Sequence, residues 1–199
     1  VSMAGGYLQQ EFKTAKFTVV PAIRYDHNTN FGHVWNPRLT GIYRATPFWT
    51  VSSNIAKSYR APSFFDQYFD SNFFTPYRSN RNIQPETAWT YDFGNQWRPT
   101  SNFDMKVVGF YTTIHNRIVG IDLNGDTIND TNGNASKAEL VGVEFEERAV
   151  LGRFTKWENY TYQRSRGFNA NQKGSTVYSD IPLVPQHKFN IGLDFAAPA

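Results

Sequence analysis

The chain has 199 residues, 40% of them apolar and 17% aromatic, no cysteine and a formal charge of +3. No stretch approaches the roughly 20 consecutive apolar residues of a membrane-spanning helix, so a helical membrane protein is excluded. The lack of cysteine excludes a disulfide-stapled secreted domain and a thiolate metal site, and basic residues mixed with acidic ones leave no tract suited to nucleic acid. Residues Val1 to Gly6 carry no export signal, as in a chain cut from a longer precursor.

Along the chain, apolar and polar residues alternate with a period of two in segments of about ten residues, the length of a tilted membrane strand. Met3 to Phe12 is a weak first case, and Phe17 to Asp26 is clear, with Phe17, Val19, Ile23 and Tyr25 opposite Thr18, Arg24 and Asp26. Asn36 to Ala45 and Phe48 to Tyr59 follow. Thr87 to Arg98 is the strongest: Trp89, Tyr91, Phe93 and Trp97 share one face, and Thr90, Asp92, Gln96 and Arg98 the other. Phe103 to His115, Ala138 to Val150, Phe154 to Gln163 and His187 to Phe195 complete a predicted set of nine strands.

The connections alternate in length. Short ones fall at Lys13 to Lys16, Thr46 to Pro47, Pro99 to Ser101 and Leu151 to Arg153; long ones fall at His27 to Trp35, Arg60 to Glu86, Asn116 to Lys137 and Arg164 to Gln186. Short turns at one end and long loops at the other organise outer-membrane barrels. The face opposite the apolar one carries Arg24, Asp26, Asp92, Arg98, Glu144, Glu146 and Arg148, which suits a soluble surface and a wet lumen equally. Aromatic residues near strand ends, among them Trp35, Trp49, Tyr59, Trp89, Trp97 and Phe103, favour lipid, because such rings settle at membrane interfaces. The reading from pattern alone is an all-β, antiparallel up-and-down transmembrane barrel, with a soluble β-sandwich as the alternative.

Chemistry-bearing residues are sparse. Asp122, Asp126 and Asp130 lie in an Asn/Gly-rich stretch whose plain reading is a turn, since their spacing is not that of an EF-hand. His27, His33, His115 and His187 show no paired spacing, so no metal site is expected. Ser63 and Ser165 have no histidine nearby in sequence, so no catalytic constellation is expected, and nothing calls for a cofactor.

Two stretches carry a family resemblance. Asn36-Pro37-Arg38-Leu39 through Tyr43-Arg44, then Ser58-Tyr59-Arg60-Ala61-Pro62-Ser63, resembles the "NPRL…YR…(S/G)FRAPS" sequence of TonB-dependent outer-membrane receptors. Asn82-Ile83-Gln84-Pro85-Glu86-Thr87, with Tyr91-Asp92-Phe93-Gly94, is similar to that family's "NLKPE(T/S)…YE.G" segment. Gly109-Phe110-Tyr111, Asn116-Arg117-Ile118, Gly142-Val143-Glu144, Pro182, Pro185 and His187 fit the strands that follow, so the resemblance runs over the whole chain, 1–199. It implies a partial barrel domain, because about 22 strands of about ten residues need more chain than this. The expectation is a piece without the plug domain and without the segment that meets the inner-membrane TonB complex.

The resemblance implies a receptor in the bacterial outer membrane, amid lipid and lipopolysaccharide, that captures a ferric siderophore or similar iron complex and imports it with TonB-coupled energy, not an enzyme. Cobalamin or haem are alternative solutes, and a passive porin or adhesin would share the strand pattern. For the ligand site the loop Arg60 to Glu86 stands out through Arg60, Tyr68, Phe73, Phe74, Tyr77, Arg78 and Arg81. Aromatic faces beside guanidinium groups suit a bulky, aromatic, anionic ligand through stacking, cation–π contact and charge pairing. No histidine occurs in that loop, which lowers haem among the alternatives.

Overall fold

The structure, a computed structural model, describes residues 2–71, 77–123, 128–168, 178–181 and 184–197. It contains eleven strands: β1 (Met3–Gln9), β2 (Phe12–Lys13), β3 (Phe17–Asn28), β4 (Gly32–Thr46), β5 (Trp49–Arg60), β6 (Glu86–Thr100), β7 (Phe103–Ile121), β8 (Thr131–Leu151), β9 (Phe154–Phe168), β10 (Tyr178–Asp180) and β11 (His187–Phe195). Among the described residues a single short helix, α1 (Phe64–Tyr68), interrupts the series. All strands join one antiparallel sheet in sequential order, and no crossover of the Greek-key kind occurs among the described residues. Both β1 and β2 pair with β3, and both β10 and β11 with β9, so the segments occupy the nine positions expected from the alternation. The sheet is open among the described residues, β1 and β11 not being paired with each other.

The register sorts the two faces. Thr40, Asn54, Asp92, Phe110, Gly142 and Gln163 are successive cross-strand partners, so they share one side; Leu39, Ile55, Tyr91, Tyr111 and Val141 share the other. The first side is concave: residues from β4 to β9, including Arg38, Asn54, Asp92, Lys106 and Glu144, line one hollow of about 520 Å³. Its polar groups bond laterally, with Asn54 Oδ1 accepting from Arg38 Nε at 2.8 Å and Asn54 Nδ2 donating to Asp92 at 3.0 Å. The second side is apolar and exposed, with Phe93 55%, Trp97 41% and Phe189 60% accessible. An inverted, apolar hollow would have meant a soluble core; a wet concave side and an apolar convex side mean a membrane wall.

Aromatic pairs mark the short-turn end of the apolar side. Phe17 stacks on Tyr43 at 4.7 Å, Trp97 meets Phe103 edge-on at 5.6 Å, and Phe154 lies 5.0 Å from Phe195. Between β8 and β9 the chain reverses within two residues, which places Gly152 at φ +62°, a conformation a side chain would resist.

At the other end the strands run on past the expected limits. The connection predicted at His27 to Trp35 shrinks to the turn 29–31, and the one predicted at Asn116 to Lys137 is largely strand, since β7 continues to Ile121 and β8 begins at Thr131. Within Arg164 to Gln186, β9 extends to Phe168 and β10 forms. Polar Asn/Gly composition marked these stretches as loops, but outside the membrane a polar strand remains favourable while its partner satisfies its backbone groups. The kink at Asn116, φ 55°, is one of the tolerated left-handed positions and lets β7 turn without losing its pairing to β8.

Candidate functional site

The loop from β5 to β6 is anchored at its base by charge. Arg60 and Glu86 are direct cross-strand partners, and the guanidinium donates to both carboxylate oxygens at 2.8 and 2.9 Å. Glu86 also accepts the Ile118 backbone N–H at 2.6 Å, so its side chain continues the ladder where β6 has ended beside β7. Burial alone would raise the Glu86 pKa; the Arg60 and Ile118 hydrogen bonds outweigh it and hold the carboxyl below its ordinary range. Arg60 reaches Asp66 as well, at 3.7 Å.

Pro62 ends β5, and Ser63 caps α1. The Ser63 hydroxyl accepts from Asp66 N at 3.1 Å, and Asp66 Oδ2 accepts from Ser63 N at 2.8 Å, a reciprocal capping box that fixes the chain's entry into the helix. Its hydroxyl is therefore committed to structure. The loop then docks on the β7–β8 hairpin. Arg78 N donates to Asp130 O, and its carbonyl accepts from Thr131 Oγ1, both at 2.8 Å. Asn134 exchanges two hydrogen bonds with Gln84, each 2.9 Å, and donates to Asn116 O at 2.6 Å. Asn132 Nδ2 reaches Asp66 at 3.2 Å, and Ile83, 2% exposed, is the apolar plug beneath.

Two aromatic groups emerge from this frame. Phe65 stacks on Phe69 at 4.3 Å, and Tyr77 lies 5.6 Å from Phe69, its backbone paired with Ser71. Phe64 stacks on Tyr68 at 4.9 Å, and the Arg81 guanidinium sits 5.4 Å from the Tyr68 ring centre. Asp70 lies between the arginines: the Ser79 backbone N–H, then its hydroxyl and the charges of Arg78 and Arg81, hold its carboxyl below the ordinary range against desolvation. Of the residues singled out in the sequence, Tyr68 and Arg81 are thus in contact, Tyr77 packs on the neighbouring aromatic group, Arg78 is fixed by its backbone, and Arg60 belongs to the anchor. Phe73 and Phe74 lie outside the described residues.

The docking roles of Asn132, Asn134 and Ile118 were missed because these residues fall in a stretch that composition marks as free loop; the family resemblance ran through Asn116-Arg117-Ile118 without giving it a partner, and Asn132 and Asn134 showed an Asn-x-Asn spacing that also fits a turn. Of the three aspartates in the Asn/Gly-rich stretch, Asp130 accepts from Leu123 N at 2.7 Å, and Asp126 lies outside the described residues. No cluster of metal-ligating side chains occurs among the described residues. His187 bonds the Tyr160 hydroxyl at 2.8 Å on the apolar side.

An antiparallel wall with a wet hollow, an apolar exterior banded by aromatics, tight turns at one end and a docked loop assembly at the other defines a piece of an outer-membrane β-barrel. The chain belongs to the TonB-dependent receptor-like β-barrel family, whose model matches residues 2–199. It is 23% identical over 206 residues to the iron-regulated outer membrane virulence protein of Vibrio cholerae, covering 96% of this chain and 31% of that protein. Against the ferric enterobactin receptor PirA of Pseudomonas aeruginosa it is 24% identical, with 90% and 26% covered. The crystal structure of the siderophore receptor PirA from Acinetobacter baumannii superposes with a TM-score of 0.78 at 20% identity, over 98% of this chain and 31% of that one. The chain therefore spans about a third of the length of these relatives and forms a partial wall of an outer-membrane receptor barrel.

Proposed function

We propose that this wall belongs to a receptor that captures a ferric siderophore or similar anionic iron complex outside the cell and imports it to the periplasm with energy coupled through TonB, making and breaking no covalent bond. The observation that carries the reading is the Tyr68–Arg81 pair, 5.4 Å apart and flanked by Phe64, on a loop fixed at its base and along its length. A rigidly held ring with a guanidinium above it offers stacking and positive charge to one ligand without further ordering cost. Relatives described as receptors for ferric enterobactin support the solute class. Arg78 supplies further positive charge and Tyr77 extends the aromatic surface; Arg60 acts through the anchor. The complete barrel, its plug and TonB contact supply the transport step.

In the complete receptor, the double variant Tyr68→Ala, Arg81→Ala should lose about 1–2 kcal/mol of capture, roughly a five- to thirtyfold weaker Kd for an anionic ferric siderophore. The measurement is equilibrium binding to outer-membrane preparations with receptor abundance matched by blotting. Unchanged binding would reduce the loop to a structural cover.

A further inference from the structure

Near its short-turn end the apolar side of the wall carries a group of charges. Glu147 and Glu158 are direct cross-strand partners on β8 and β9, and Lys156 lies beside them, its Nζ 3.1 Å from Glu147 and 3.0 Å from Glu158. Register fixes the face: Glu147 also pairs with Met105, Glu158 with Ile191 and Lys156 with Leu193, all on the side of Phe154, Tyr160 and Phe195. Two carboxylates and one ammonium leave one negative charge uncompensated among apolar neighbours. Directly opposed like charges weaken a strand pair, and Lys156 neutralises only one of them.

Depth decides what can neutralise the other. Lys156 and Glu158 are two and four residues from Phe154, where β9 leaves the tight turn 152–153. With about 3.3 Å per residue and a tilt of roughly 40°, they lie about 5–10 Å from the turn, at the edge of the apolar band where lipid headgroups begin. Arg153, exposed in that turn, adds a cation nearer the water.

We propose that Glu147, Lys156 and Glu158 form a docking place for one phospholipid bearing a primary ammonium headgroup, in the leaflet at the short-turn end. Its ammonium donates to the free oxygens of the two carboxylates, and its phosphodiester turns toward Lys156 and Arg153, so that cations and anions alternate from the wall to the water. A trimethylammonium headgroup has the same charge but no N–H to donate, which makes headgroup chemistry the discriminating variable. A glycerol headgroup supplies no cation at all.

The test uses the complete receptor, reconstituted in nanodiscs of equal parts phosphatidylethanolamine, phosphatidylcholine and phosphatidylglycerol, then released in mild detergent and analysed by native mass spectrometry. Phosphatidylethanolamine should be retained at least about fivefold over either competitor, and Glu147→Gln with Glu158→Gln should abolish the excess. Equal retention of the three lipids, or the same excess in the double variant, overturns the proposal. Should the double variant fail to assemble, a photo-reactive side chain placed at Leu193 of the otherwise unaltered receptor decides: cross-linking to phosphatidylethanolamine in excess supports the site, and cross-linking to a second receptor or to all lipids equally overturns it.

Discussion

Glu86 does three jobs with one carboxylate: it pairs with Arg60, receives the Ile118 amide and thereby closes the seam between β6 and the outer reach of β7. Replacing it with Gln keeps the shape but removes the charge that strengthens both bonds, so about 1–3 kcal/mol of local stability should go. Hydrogen exchange at the Ile118 amide and proteolysis within residues 61–85 are the readouts, with the heat resistance of the barrel unchanged. The pH dependence has a definite sign. Because the folded carboxyl lies below its ordinary value, its contribution is complete above the ordinary glutamate range and is lost as pH falls through the depressed folded value. Acid should therefore raise protease sensitivity of the loop in the native receptor, and Glu86→Gln should be equally sensitive at neutral pH and in acid. At Asn116 the backbone itself sets the limit: with φ at 55°, Asn116→Val should cost about 1–2 kcal/mol and Asn116→Gly little, judged by the same exchange measurement on the β7–β8 hairpin.

Among elements, those crossing the membrane were legible and those outside it were not. Trp89, Tyr91, Phe93 and Trp97 could be assigned to one face of β6 because lipid on one side and water on the other enforce a period of two, and the register bears this out. Beyond the membrane both faces of a strand meet water, so Arg117 to Ile121 and Thr131 to Lys137 carry no alternation and read as loop although they form the tips of β7 and β8. The candidate site was legible as composition only. Arg81 and Tyr68 stood out as residue types, but their contact depends on Asn132, Asn134 and Thr131 holding the loop from a hairpin distant in sequence. Glu147, Lys156 and Glu158 likewise lay in segments read as ordinary alternation. If the hairpin is the scaffold, Asn134→Ala should release residues 80–85, since three hydrogen bonds depend on that side chain. Faster hydrogen exchange in that stretch, together with siderophore binding several times weaker, is the expected pair of results. Looser exchange with unchanged affinity would separate the loop's order from its role in capture.

At the scale of the whole wall, one side meets lipid and the other the lumen, and the tryptophans report directly which is which. Trp49 and Trp97 are cross-strand partners on the convex side, and Trp97 is packed on Phe103 at the aromatic band. Trp157 lies on the concave side, opposite Gly192, where any added Cβ would come within 2.2 Å of its ring. A large indole inside the wall is thus accommodated by a residue with no side chain, and Gly192→Val should force the ring out and weaken the β9–β11 pairing. In single-tryptophan versions of the complete receptor reconstituted with brominated lipids, Trp49 and Trp97 should be quenched at least about twofold more than Trp157. Aqueous quenchers should order the three the other way wherever the lumen is open. Strong lipid quenching of Trp157 with protection of Trp97 would reverse the faces, placing the Asn54–Asp92 network against hydrocarbon and Phe93 in the hollow. Unpaired charge at that depth would not be stable, so the same outcome would also remove the basis for reading the sheet as a membrane wall.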